Sequence, residues 1–135
     1  MILSSGIVAS AGAQEDWRPP GTGMPDMPAM SELSGSDWLA PRAQWFRGIS
    51  GVDAGALVAV GEPRGSAVVQ LVRFRNGPMP AVVWSDRNAD GRADLIELFR
   101  RGSVVIQLID ADYDGNANVL RIYDASGALI REERM

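Results

Sequence analysis

At 135 residues with 46 % hydrophobic content, the chain is long enough for one domain at most. It has no cysteine and no histidine, which excludes disulfides, thiolate catalysis, zinc and iron–sulfur ligation and the commonest general base. Oxygen is left as the metal-ligand chemistry, which selects Ca²⁺ or Mg²⁺, and a net charge of −4 without a basic stripe speaks against nucleic acid as a partner.

Residues 1–13 are small and apolar and end in Ala11, Gly12 and Ala13, which resembles the end of a secretory signal. The expected location is therefore extracytoplasmic, periplasmic or secreted. No run approaches the roughly 17–25 apolar residues of a membrane-spanning helix, so no membrane-spanning segment is expected. Residues 14–53 read as an extended, mostly irregular arm. Between Arg18 and Met30 a proline or glycine recurs every few residues, so neither helix nor strand can propagate. The arm nonetheless carries Trp17, Met24, Met27, Met30, Trp38, Trp45 and Phe46. Large apolar anchors without a core of their own lie on a surface, either their own domain's or a partner's. These seven residues are the candidate partner-binding set.

Residues 54–135 change to short apolar runs broken by turns, the punctuation of strands. Runs at 56–60, 67–75, 81–84, 95–100, 104–109, 119–123 and 128–131 predict about seven strands. Turn signals fall at Glu62 to Gly65, at Asn76 and Gly77, at Arg101 and Gly102, and at Asp124 to Gly127. Gly77, Gly102 and Gly127 are spaced by 25 residues, and Phe74, Phe99 and Tyr123 keep nearly the same step. The prediction is a mainly β fold, an antiparallel meander built from hairpin repeats of about 25 residues.

Two acidic loops join successive hairpins. At an offset of 24 residues, Asp86 falls on Asp110, Asn88 on Asp112, Asp90 on Asp114, Gly91 on Gly115, Ala93 on Ala117 and Asp94 on Asn118. Oxygen side chains at alternate positions followed by a glycine suit a hard cation. The side chains converge, the glycine permits a sharp turn, and a backbone carbonyl with later oxygens completes the shell. The candidate ligands are Asp86, Asn88, Asp90, Arg92 and Asp94 in the first loop. In the second they are Asp110, Asp112, Asp114, Asn116 and Asn118. Up to two Ca²⁺ are expected, which would take the net charge from −4 to zero. Glu97 stands at the twelfth position of an EF-hand count in the first loop, whereas Arg121 occupies that place in the second. The spacing over 95–101 admits a two-turn helix, and with it an EF-hand or dockerin-like unit; the repeat favours a strand. Asp-Gly and Asn-Gly turns also join strands without any metal.

In residues 86–94 and 110–118, with their hairpin strands, the chain resembles bacterial extracytoplasmic calcium-loop repeats of the thrombospondin type 3, VCBS and FG-GAP kind. Asn118 departs from the final aspartate of that pattern, which implies a weaker second site. The resemblance implies calcium-dependent structural or adhesive roles and no catalysis. No nucleophile–base pair can be assembled, so an enzyme is not expected. Two uses follow. One is an accessory or scaffold subunit that docks through its N-terminal arm on a larger extracytoplasmic or membrane-associated assembly. The other is a self-contained binding or adhesion module using the calcium loops as its recognition edge, which requires an exposed aromatic beside them, Tyr113 or Trp84.

Overall fold

The computed structural model describes residues 16–27 and 79–135 in full, and 57–64 and 67–74 in backbone course. Residues 1–13, Met30, Trp38, Trp45, Phe46 and the turn at Asn76 and Gly77 lie outside the described residues. Extended backbone runs over Leu57–Arg64 (β1) and Ala67–Phe74 (β2). Five strands follow: Pro80–Asp86 (β3), Leu95–Arg100 (β4), Ser103–Ile109 (β5), Val119–Tyr123 (β6) and Leu129–Arg134 (β7). Strands β3 to β7 form one antiparallel meander in which each pairs with the next. No helix occurs among the described residues. The stretch after the first acidic loop, where the spacing admitted a helix, is strand β4.

Period-two alternation explains both the strands and their register. One face carries two cross-strand rows of apolar side chains. Val82, Leu98, Ile106 and Ile122 stand opposite one another in turn, as do Trp84, Ile96, Leu108 and Leu120. All eight are almost completely buried, each worth about 1.5–3 kcal/mol of transfer free energy. The other face carries the row Val83, Glu97, Gln107, Arg121 and Glu132. A one-residue slip would exchange the two sets, so the register is strongly specified.

The turns opposite the acidic loops are tight. Arg101 (φ 53°) and Gly102 (φ 82°) are both left-handed, as the two-residue hairpin between β4 and β5 requires. Three strands run well beyond expectation: β1 continues through Glu62 and Pro63 to Arg64, where a turn was expected, β3 runs two residues past Trp84, to Asp86, and β7 continues past Arg131 to Arg134. Ladder hydrogen bonds carry these polar ends, which side-chain patterning does not reveal.

At the loop end of the apolar face, part of the N-terminal arm packs down. Trp17 and Met24 are buried in the same cluster as the strand residues, with Ala93 and Ala117 from the loops, and Met27 packs against it. Arg18 pairs with Glu133 of β7 at 2.8 Å, and Arg131 donates to the Trp17 carbonyl.

Candidate metal centre

Each acidic loop begins on the last residue of a strand or just beyond it and closes by pairing its two ends. Asp94 N donates to Ser85 O at 2.8 Å, and Asn118 N donates to Ile109 O at 2.7 Å. Within the first loop the buried Asp86 carboxylate accepts from Asp90 N (3.2 Å) and Gly91 N (2.8 Å). Within the second the buried Asp110 carboxylate accepts from Asp114 N (3.3 Å) and Gly115 N (2.8 Å). Asp90 accepts from Arg92 N, and Asp114 from Asn116 N, each at 2.9 Å. Asp94 accepts from Arg87 N, and its counterpart Asn118 accepts from Ala111 N at 2.7 Å. Left-handed backbone recurs at the same places, Ala89 (φ 60°) with Gly91 (φ 90°), and Tyr113 (φ 59°) with Gly115 (φ 90°). The two loops are therefore one conformation used twice.

That conformation gathers carboxylates. Oxygens of Asp86, Asp90 and Asp94 lie within 4.8 Å of one another, as do those of Asp110, Asp112 and Asp114, so either triad could hold a metal ion. A carboxylate oxygen has two lone pairs, so one backbone bond leaves it capacity for a cation. The environments of the acids differ. Burial pushes the Asp94 carboxyl above the ordinary range, against the opposing effect of the Arg87 N–H, and the nearby Asp86 charge adds to the rise. Exposed Asp90 is held low by the Arg92 N–H that donates to it.

Arg87 joins the loops to each other. Its guanidinium lies 3.5 Å from an Asp94 oxygen, 3.4 Å from both the Asp94 and the Asp110 carbonyls, and over the Tyr113 ring at 5.6 Å from the centroid. Asp110 N also donates to Asp94 O at 2.8 Å. The Asp110, Asp112 and Asp114 triad forms no ion pair among the described residues.

The remaining sequence-predicted ligands sit as follows. Asn88 is exposed and donates to Asp90 at 3.3 Å. Arg92 and Asn116 occupy equivalent exposed loop positions, and the Arg92 guanidinium reaches across to Gly115 of the other loop. Glu97 stands within β4 on the polar row, where Gln107 Nε2 donates to it at 3.0 Å, and it belongs to neither triad. Tyr123 extends that network by donating to Gln107 Oε1 at 2.7 Å. Of the aromatics beside the loops, Tyr113 is 43 % exposed and Trp84 is buried.

Sequence reasoning missed Arg87, Ala93 and Ala117. The alanines recur at the 24-residue offset and were visible as a repeat, without a chemistry to explain them. Arg87 has Ala111 as its counterpart, so no repetition marked it. Among the described residues no helix is long and apolar enough to cross a membrane. No family model, curated protein or solved structure matches the chain.

Proposed function

We propose that this chain is a non-enzymatic, calcium-binding β-repeat module of an extracytoplasmic protein, periplasmic or secreted, taking up to two Ca²⁺ in its paired loops. The observation that carries this reading is the congruence of the loops. Two segments of different sequence adopt the same left-handed positions and the same carboxylate–amide bonds, and each gathers three acids, two at equivalent positions and the third at Asp94 in one loop and Asp112 in the other. Holding three carboxylates together without a counter-charge costs a few tenths to one kcal/mol per close pair, a cost that a bound cation removes. The all-oxygen donor set suits Ca²⁺, with Asp86, Asp90 and Asp94 in one loop and Asp110, Asp112 and Asp114 in the other, and carbonyls of Arg92 and Asn116 completing the shells. Arg87 offsets the charge of Asp94, so the loop ending in Asn118 competes on nearly equal terms.

The sheet of this reading has seven strands. The backbone pairing of β1 with β2, and of β2 with β3, supports the extension. Of the two uses, the inward packing of Trp17 and Met24 and the exposure of Tyr113 favour the self-contained module with the loop edge as its recognition surface. Docking on a larger assembly, membrane-associated or free, then falls to Met30, Trp38, Trp45 and Phe46.

Thermal unfolding with EDTA and with millimolar Ca²⁺ tests the reading, alongside the double substitution Asp90→Ala, Asp114→Ala. Saturation at one hundred times the dissociation constant stabilises by about 2.7 kcal/mol. A rise in midpoint that the double substitution abolishes is the expected result. An unchanged wild-type midpoint overturns the metal reading and reduces both loops to turns.

A further inference from the structure

The metal reading gives Ala93 and Ala117 nothing to do, although both loops carry an alanine two residues after the glycine. Both alanines are buried, and both are bonded to the N-terminal segment. At the second loop, Met24 N donates to Gly115 O (2.9 Å) and Ala117 N donates to Thr22 O (3.0 Å). At the first, Met27 N donates to Gly91 O and Ala93 N donates to Pro25 O, both at 2.9 Å. The pattern is repeated with a three-residue step on the segment and a 24-residue step on the sheet. These steps match in length. A polyproline-type segment advances about 9.3 Å in three residues, and two strand spacings measure about 9.6 Å. One three-residue step therefore carries the segment from one acidic loop to the next.

Within each step the roles are fixed. The first residue, Thr22 or Pro25, supplies a carbonyl and needs no N–H, so proline is admitted there. The second, Gly23 or Asp26, takes no part in these bonds. The third, Met24 or Met27, supplies the N–H and lays its side chain on the core. On the sheet, the glycine offers its carbonyl from a left-handed conformation, and the alanine is small enough for backbone to approach backbone.

We propose that the loop edge of this sheet is a docking track for extended Pro-x-Met peptides, one three-residue step per hairpin repeat, occupied here by residues 22–27 of the chain itself. The partner it fits is a polyproline-type peptide with proline or threonine first and methionine third in each step. The sequence keeps this pattern through Pro28, Ala29 and Met30.

The test uses the full chain carrying Met24→Pro and Met27→Pro, which deletes both donor N–H groups. Each methionine already precedes a proline, so its backbone is biased towards the extended conformation that proline accepts. Amide exchange at Ala93 and Ala117 should become at least tenfold faster than in the wild type. A synthetic peptide of residues 16–27 should restore their protection, and the same peptide with proline at both methionine positions should not. Unchanged protection in the variant, or no restoration by the wild-type peptide, overturns the proposal. Should the variant fail to fold, exchange in the wild-type chain decides. The amides of Met24, Met27, Ala93 and Ala117 should open together as one unit, and independent opening overturns the track. These readouts involve no metal, so they stand apart from the calcium test.

Discussion

Asp94 and Asn118 hold the same place in two loops of one conformation, yet one is a buried acid and the other a neutral amide. Burial raises the Asp94 pKa, so the folded chain holds that proton more tightly than the unfolded chain does. The resulting stability is present below the ordinary carboxylate range and is lost as pH rises through the raised value. Asp94→Asn keeps an acceptor for Arg87 N and removes the titration. In EDTA its urea midpoint should therefore change less between pH 4 and pH 7 than the wild type's, and should exceed it at pH 7. With millimolar Ca²⁺ the order should reverse, because a charged ligand has been replaced by a neutral one. The glycines offer a second comparison. Gly91 and Gly115 share φ 90°, which costs any L-residue about 1–2 kcal/mol. A methyl at Gly91 meets nothing, whereas one at Gly115 meets the Arg92 guanidinium. That guanidinium is the far end of a flexible, exposed side chain and can move aside, so Gly115→Ala and Gly91→Ala should lower the chemical-denaturation midpoint by similar amounts, set by the shared φ.

At the scale of the element, β4 and β7 mark the extremes. Leu98 of β4 is fully buried between Val82 and Ile106, so Leu98→Ala should cost about 2–5 kcal/mol by urea unfolding. Leu129 of β7 is half exposed, and Leu129→Ala should stay within about 0.5 kcal/mol. After Ile130, which is also exposed, β7 carries Arg131, Glu132, Glu133 and Arg134, with Arg121 paired to Glu132 at 2.8 Å, a run of charges that discourages addition of another strand. These strands are legible in the sequence because alternation is a side-chain property, and the acidic loops are legible because their clustered oxygens belong to side chains. Glu97 shows where counting fails: its twelfth place assumes a curling loop, and the ladder of β4 holds it on the sheet instead. The docking of residues 22–27 is illegible for a different reason. Its bonds run from backbone to backbone, and a three-residue period belongs to neither helix nor strand, so it acquires meaning only beside the spacing of two strands.

For the molecule as a whole, the N-terminal segment is a structural member of a sheet that lies far from it in sequence. Trp17 is 2 % exposed and shares the core of β3 to β6. Trp17→Ala should therefore cost about 3–5 kcal/mol, a fall in melting midpoint of roughly 10–18 °C. Calorimetry should still record one transition, since the segment has no core of its own to melt separately. The pairing of a short step with a long one also constrains how such a chain can grow. Duplicating one 24-residue hairpin unit would create an acidic loop with no carbonyl and amide to meet it. Only a duplication accompanied by three more residues in the N-terminal segment would keep the two ends of the chain in phase, so length changes at these distant sites are expected to arise as matched pairs.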